Sequence, residues 1–336
     1  MNSMMERILV LIILINWIST DGSAQWFDPV ENLFRQVTTE ERVPDDLLSK
    51  KAVLLYDPQI KGEYLEQIQE SFQKTGIDVV LHYPIDIPAS NDDVNKVFVR
   101  YLTARDVRYL ILFREVNTQL EFLFTGFNKK PDWADPGQQA WRVAGNGLSN
   151  LLESIHRVAS GSQKKKNHLI IERPEKELNL DPVTGNRNEF FSLDLKIDKL
   201  AIIRTGNKGT DDALESYFNS MYPFKFKMFD AGTDETTARG EGYLYVLKMI
   251  HCRSSAAMDL LGYDLSNVGH RIDAVTYKSG KSEETSLPAE QTVFKFYFKH
   301  LENGNIYLGT KWDGAAEWKD ALDNYIQGFK AATELK

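Results

Sequence analysis

Apolar positions in the first part of the chain switch between the alternation of strands and the spacing of roughly three to four residues that marks helices. The segment KKAVLLYDP predicts a first strand, and the helix after it ends at Gly76, a residue type common just past helix C-termini. IDVVLHYP predicts a second strand, and Ser90 or Asn91 can cap the second helix. In that helix apolar residues recur at offsets of 3, 4, 7 and 8: Val94, Val97, Phe98, Tyr101 and Leu102. Two strands then pair around 117–118, and we expect 135–159 to form a long closing helix.

The second part of the chain has a comparable order of elements. DKLAIIRTG, FKFKMFDAG and YLYVLKMIH predict strands, and GTDDALESYFNSMYP predicts a helix that Pro223 ends. TDETTARGEG stands where the first part has its second helix, but it is shorter and more polar. An insertion at about 252–291 contains one more predicted strand, RIDAVTYKSG. A hairpin of TVFKFYFKH and NIYLGTKW, with Asn303-Gly304 in its turn, precedes a final helix that starts near Ala315.

Three details suggest that the two parts are related halves. Each has Lys-Gly between its first strand and first helix, at 61–62 and 208–209. Each predicted closing helix has a tryptophan near its start, Trp141 or Trp318. From each tryptophan, apolar or small residues recur at offsets of 3, 7 and 11: Ala144, Leu148 and Leu152, and Ala321, Tyr325 and Phe329. We interpret the repeat as an internal duplication, although common α/β topology alone can produce the same order.

The predicted fold class is α/β with mixed sheets. It has two related α/β halves, each strand-helix-strand-helix-strand-strand-helix, the second with an inserted strand region. Strands joined by helices can lie parallel, and each hairpin adds an antiparallel strand. The expected domains are 50–161 and 191–336, joined by a charged linker at 162–190 and preceded by an N-terminal arm at 25–49.

Residues 1–24 have the composition of a secretory signal peptide. Arg7 supplies a positive charge, 8–18 form an apolar run, and Gly22 and Ala24 occupy the small-residue positions of a cleavage site. The run is shorter than the roughly 20 apolar residues of a spanning helix, which argues against a membrane anchor. We therefore expect cleavage after Ala24 and a periplasmic or secreted protein that has no transmembrane segment after cleavage.

Composition narrows the class of protein. The 336 residues are 42% hydrophobic and 26% charged, which is ordinary for globular domains. A net charge of −8 provides no global basic field to attract nucleic acid. The single cysteine, Cys252, excludes an internal disulfide. No Asn-x-Ser/Thr sequon follows Ala24, which favours a bacterial over a eukaryotic secretory route.

The loop RTGNKGTDD, which follows the strand LAIIR, is the best candidate for a cofactor site. A loop between a strand and a helix N-terminus can bind phosphate through backbone N–H groups. Its spacing, however, matches neither the P-loop nor the dinucleotide fingerprint. We therefore expect a tight turn with Thr210 or Asp211 as the helix cap, and no cofactor.

His251 and Cys252 are adjacent in MIHCRSS, with Ser254 and Ser255 close by. A cysteine nucleophile needs a base within hydrogen-bond reach, but neighbours on a strand point to opposite faces. We expect Cys252 to be a small buried residue near a strand end.

None of the six histidines has the spacing of a metal site with another His, Cys or carboxylate, so no metal site is predicted. His82 and His300 lie at strand ends, where we expect partly exposed structural histidines. Carboxylates are abundant, but sequence alone does not pair them across a cleft. No catalytic residue is assigned.

Two further segments could contact partners. Lys164–Lys166 is the one dense basic run, and we interpret it as solvated linker rather than a surface for acidic sugars or lipid headgroups. In TVFKFYFKH, alternation places the phenylalanines in the core and Lys295, Tyr297 and Lys299 in water. At a sheet edge this strand could also accept a partner strand.

These features favour an exported, soluble, non-catalytic binding or assembly component of a bacterial cell envelope, with another envelope protein as its partner. One alternative is a secreted hydrolase whose acidic residues meet in the cleft between the halves. The other is a small-ligand carrier that uses the same cleft.

Overall fold

The structure is a computed structural model that describes residues 29–162, 170–266, 268–278 and 281–333. The expected signal peptide at 1–24 and the basic run Lys164–Lys166 lie outside the described residues. Two six-stranded mixed sheets, with helices packed on them, form the core of the molecule. The predicted α/β class is therefore confirmed. Among the helices described, none is long and apolar enough to cross a membrane.

The first sheet has the strand order β1-β6-β5-β4-β2-β3. Its strands are β1 (Thr38–Glu40), β2 (Lys51–Tyr56), β3 (Asp78–Pro84), β4 (Val107–Val116), β5 (Gln119–Gly126) and β6 (Gln139–Gly145). The helices in this part are α1 (Pro29–Gln36), α2 (Gly62–Thr75), α3 (Asp92–Ala104) and α4 (Leu148–Ser162). Strand β2 is parallel to both of its neighbours, β5 is antiparallel to both of its neighbours, and β1 is parallel to β6.

The rest of the chain supplies the strands of the second sheet and of a separate two-stranded ribbon. These strands are β7 (Arg187–Asn188), β8 (Leu200–Ile203), β9 (Phe226–Phe229), β10 (Tyr245–Arg253), β11 (Arg271–Lys278), β12 (Lys281–Pro288), β13 (Thr292–His300) and β14 (Ile306–Tyr307). The helices are α5 (Lys208–Met221), α6 (Glu235–Gly240), α7 (Ser254–Leu261) and α8 (Trp318–Ala332). The sheet order is β7-β14-β13-β10-β8-β9, while β11 and β12 pair as a separate ribbon inside the expected insertion.

The two sheets have the same topology. In the first sheet, β2 lies between its parallel neighbours β3 and β4, and β4, β5 and β6 form an antiparallel meander. The short strand β1 pairs parallel with β6 at the far edge. In the second sheet, β8, β9, β10, β14 and β7 occupy the places of β2, β3, β4, β6 and β1. Strand β13 takes the place of β5. This agreement is the strongest support for two comparable halves, and their origin by duplication stays a prediction.

The predicted closing helix of the first half is wrong over its first part. Residues 139–145 form β6, in which Trp141 pairs with Phe124 of β5, and α4 begins only at Leu148. Gly147, with φ +85°, breaks the chain direction between the two elements. Trp141 therefore lies on a strand with its ring 4.7 Å from that of Phe124, whereas Trp318 is the first residue of α8. The proposed equivalence of the two tryptophans does not hold.

Other local signals behave as predicted. Gly76, with φ +98°, ends α2. Asn91 caps α3, since its side chain accepts a hydrogen bond from the Val94 amide. Residues 117 and 118 both have positive φ and join β4 to β5 in a tight hairpin.

One apolar core extends through both halves. Its largest cluster includes Phe98 and Trp133 from the first half and Tyr297 and Phe329 from the second. A second cluster lies between the first sheet and α2 and α4, where the rings of Phe113 and Phe122 stack at 4.4 Å. Because buried side chains of both halves belong to this shared cluster, the two halves pack directly on each other.

We expect Ile111→Ala to lower the free energy of unfolding by about 2–5 kcal/mol, because Ile111 is fully buried in β4 and its loss leaves a cavity. Ile197→Ala is the matched control, since this isoleucine is 86% exposed, and we expect a change within about 0.5 kcal/mol. Urea denaturation followed by circular dichroism measures both. Equal losses in the two variants would contradict the described core.

Candidate functional site

A cleft of about 1050 Å³ opens where the N-terminus of α3 meets the second sheet. The second half contributes the loops that follow β8 and β9 together with the middle of β10, and the first half contributes Asn91, Asp92 and Lys96. Strand β8 lies between β9 and β10. The crossover from β8 to β9 runs one way along the sheet, and the crossover from β9 to β10 runs back past β8. Ligands of open α/β sheets commonly bind at the carboxyl ends of strands beside such a point.

The loop after β8, which the sequence marked as the best cofactor candidate, lies on the wall of this cleft. The carboxylate of Asp211, a buried residue, accepts hydrogen bonds from the backbone N–H groups of Thr205 at 2.7 Å and Gly206 at 3.2 Å. The Thr205 hydroxyl accepts a third, from the amide of Asn207, at 3.1 Å. Three N–H groups that could hold a phosphate are thus already used within the loop. This geometry supports the interpretation of a tight strand-to-helix turn.

The predicted cap of α5 is wrong. Asn207 caps the helix through a hydrogen bond from the Thr210 amide to its Oδ1, rather than Thr210 or Asp211. Asparagine is a strong capping residue, so the signal was present in the sequence one turn earlier. Asp211 instead ties the helix back to the loop before it.

Two lysines of the second sheet meet carboxylates from both halves beside the cleft. Lys248 Nζ lies 2.7 Å from Asp92, 3.2 Å from Asp93 and 3.1 Å from Glu235. Lys299 Nζ lies 3.0 Å from Asp93 and 2.9 Å from Glu235. We call these five residues the junction cluster. Asp92 and Asp93 belong to the first turn of α3, so the cluster joins the first half to β10 and β13 of the second.

The protonation states of the junction cluster follow from its charges. Burial alone would lower the pKa of Lys248, but Asp92, Asp93 and Glu235 raise it well above its ordinary value. Burial acts in the opposite sense on Asp92, yet Lys248 and Lys96 hold the pKa of this carboxyl well below its usual range. Both groups therefore stay charged throughout the physiological range.

A second ion pair connects the halves farther along β10. The Arg253 guanidinium binds Asp86, with Nε 2.8 Å from the carboxylate, and Nη1 also reaches Glu290 at 3.0 Å. Burial would lower the pKa of Arg253, but these two carboxylates raise it. The half-buried position of Asp86 and Arg253 makes this contact less screened than a surface pair.

No protein-family model matches the chain, and no curated protein matches it. The site is therefore interpreted from its own side chains. Within the described ranges, no group of three or more His, Cys, Asp or Glu side chains could hold a metal ion.

The expected exposure of β13 is wrong. Lys295 and Tyr297 are buried and Lys299 is half-buried, although alternation placed all three in water. The Asn91 amide donates to the Tyr297 hydroxyl at 3.3 Å, and Lys299 binds Asp93, so the start of α3 covers these two side chains. Lys295 is instead buried against Asp313 of the second half. Strand β13 also lies between β10 and β14. It is not a sheet edge, and the hypothesis that it accepts a partner strand is wrong.

The adjacent His251 and Cys252 do not form a reactive pair. Cys252 is buried near the end of β10, as expected, and burial raises the pKa of its thiol well above the ordinary value. The His251 ring stacks on Phe294 at 3.8 Å, with Nδ1 3.2 Å from the Val293 carbonyl oxygen. A neutral, enclosed thiol is a poor nucleophile.

His82 departs from the sequence expectation because it is buried rather than partly exposed. Its Nε2 lies 3.1 Å from Gln69 Oε1, and burial, with a smaller contribution from Lys176, lowers its pKa to about 4. His300 is half-buried, as predicted, and His168 lies outside the described residues. His82 therefore acts as a neutral core residue that links β3 to α2.

We expect Asp211→Ala to lower the free energy of unfolding by about 1–3 kcal/mol, because two backbone N–H groups lose their acceptor. Asp212→Ala is the control on the next residue, where an exposed carboxylate pairs only with Lys208, and we expect a loss below about 1 kcal/mol. Urea denaturation of both variants tests this. A loss that is the same at both positions would show that Asp211 does not hold the loop.

We expect His82 to make the protein less stable in mild acid. Its pKa is lowered from 6.5 in the unfolded chain to about 4 in the fold, so its contribution is complete above pH 6.5 and is lost as pH falls toward 4. The largest loss from this residue is about 3 kcal/mol. His82→Gln retains a donor for Gln69 and should remove this part of the pH dependence. The test compares urea midpoints of both proteins at pH 7.5 and pH 4.5, and parallel pH profiles would contradict it.

Proposed function

We propose that this protein is a non-catalytic binding protein and that the cleft between its halves is the binding surface. The observation that supports this most directly is the state of the carboxylates that line the cleft. Asp92 and Glu235 bind Lys248, and Asp234 caps α6 through the Thr237 amide at 2.7 Å. Each of them is committed to a structural partner.

This arrangement does not favour the alternative of a hydrolase that works with two acidic residues. A glycosidase-type mechanism needs one carboxyl group that is protonated near neutral pH. Lys248 and Lys96 push the pKa of Asp92 in the opposite direction. The candidate nucleophile Cys252 is enclosed, so it does not supply another route.

The chemistry of the cleft suits a small polar ligand. Its wall combines Lys96 and Arg204 with Thr233 of the loop after β9 and Thr236 of α6, and apolar side chains such as Leu247 and Met249 line it as well. Because both halves line the cleft, a ligand bound there would contact α3 and the second sheet together. This is the geometry of a carrier or sensor rather than of a flat protein-binding face.

The cellular setting of the proposal rests on the sequence. The signal-peptide composition of 1–24 supports export, and the absence of a sequon after Ala24 supports a bacterial envelope. We propose a periplasmic or secreted protein that delivers its ligand to, or assembles with, another envelope protein.

The test is a thermal-shift screen of the purified mature chain against amino acids, sugars, nucleotides and organic acids. A ligand at 100 times its Kd should stabilise the protein by about 2.7 kcal/mol. Thr236→Trp fills the cleft from an exposed position on α6, and this variant should lose the shift. Thr237→Trp is the matched control because this exposed neighbour does not line the cleft.

Three outcomes would contradict the proposal. Enzymatic turnover of a bound compound would show that the protein is an enzyme rather than a non-catalytic binding protein. A shift that persists in Thr236→Trp would place the ligand elsewhere. No shift with any compound, in a chain that unfolds cooperatively, would remove the support for a small-ligand site.

A further inference from the structure

Lys295 and Asp313 form an isolated charged pair in the core of the second half, away from the cleft. Lys295 belongs to β13 and is fully buried, and the Asp313 side chain, between β14 and α8, is 4% exposed. Lys295 Nζ lies 2.5 Å from Asp313 Oδ1 and donates to the Leu308 carbonyl oxygen at 2.7 Å. The Tyr325 ring lies 4.6 Å from Nζ and closes one side of the pair.

Burial acts on the two groups in opposite senses. It lowers the pKa of Lys295 and raises the pKa of Asp313 to about 6, although the attraction between the partners works against both shifts. Both shifts favour the neutral amine and the neutral carboxylic acid. In the junction cluster, by contrast, three carboxylates keep Lys248 firmly charged.

Two polar atoms beside this pair have no hydrogen-bond partner among the described residues. They are the Tyr263 hydroxyl and the Trp312 indole nitrogen, both buried donors. Their rings lie 5.3 Å apart, Trp312 precedes Asp313 in the chain, and Asp313 is, after burial, the main cause of the raised pKa of Tyr263. Asp313 Oδ1 also makes no hydrogen bond among the described residues, although Lys295 Nζ lies close to it. Unpartnered buried polar atoms are costly, so the polar groups around Asp313 are incompletely satisfied in the fold.

We propose that Lys295 and Asp313 condense to an intramolecular amide cross-link after the chain folds. The lone pair of the neutral Nζ attacks Cγ of the protonated carboxyl group. The C–N bond forms, the C–OH bond breaks, and the hydroxyl group leaves as water with one proton of the amine. Atoms and electrons balance without an oxidant, a reductant or a co-reactant.

The cross-link resolves the physical difficulty of the site. It replaces two buried charges, which are expensive in a dry interior, with one neutral amide. The bond also closes the segment 295–313, so it fixes β13 to the chain that leads into α8. This modification does not depend on the proposed function of the cleft.

The test is the intact mass of the purified wild-type chain under denaturing conditions. The expected result is a mass lower than that of the sequence by one water. Trypsin should fail to cut after Lys295, and tandem mass spectrometry should find a branched peptide that contains Lys295 and Asp313. A full sequence mass with normal cleavage after Lys295 would overturn the proposal, whatever the folding of any variant.

One other reaction loses the same mass, because Asp313 is followed by Gly314 and an Asp-Gly sequence can cyclise to an imide. Lys295→Met distinguishes the two reactions, since it removes the amine and leaves the imide route intact. We expect Lys295→Met to have its full sequence mass. Lys299→Met, which alters a lysine on the same strand, should keep the deficit of one water. A deficit retained in Lys295→Met would assign the loss to the imide and overturn the cross-link.

Discussion

The attraction between two lysines of the second sheet and the acidic first turn of α3 determines how the two halves meet. Lys248 and Lys299 lie on neighbouring strands, and each contacts a carboxylate from each half. Lys248 is buried, so it depends on the carboxylates around it, because a buried charge without a partner is strongly unfavourable. Asp92 and Asp93 at the start of α3 also interact favourably with the positive end of its helix dipole, so the same side chains stabilise the helix and the junction.

The junction cluster also decides what the neighbouring cleft can do. It places Asp92, Glu235 and Lys248 on the cleft wall, where these side chains pair with one another. The loop after β8 follows the same rule, since Asp211 takes the amides that would otherwise face a ligand. This pairing of the acidic side chains is in keeping with the binding role that we propose for the cleft.

The sequence predicts elements whose signals are local. The long alternating and helical segments, the glycine after α2, the Asn91 cap and both hairpin turns appear where patterning and turn chemistry place them. The recurrence of apolar and small residues at offsets of 3, 7 and 11 from Trp141 predicts a helix that includes 139–145. Pairing with β5, a contact between distant residues, selects the strand. The capping of α5 by Asn207 could be predicted from the sequence, because asparagine is a preferred capping residue. The hydrogen bonds from the loop amides to Asp211 could not be predicted from the sequence.

The candidate site was harder to predict than the fold. Strand β13 carries an alternating pattern that normally means one face in water, but α3 from the other half covers that face. Burial of Tyr297 and Lys299 therefore depends on how two separate sheets assemble. The burial of His82 has a related cause, because its contact with Gln69 forms only when α2 packs on β3.

The core shared by the halves has a consequence for how the protein is made. Synthesis delivers the first half before 245–299 exist, so α3 leaves the ribosome without Lys248 and Lys299 beside its acidic first turn and with part of its apolar surface uncovered. The nascent first half is thus an incomplete folding unit until β10 and β13 arrive.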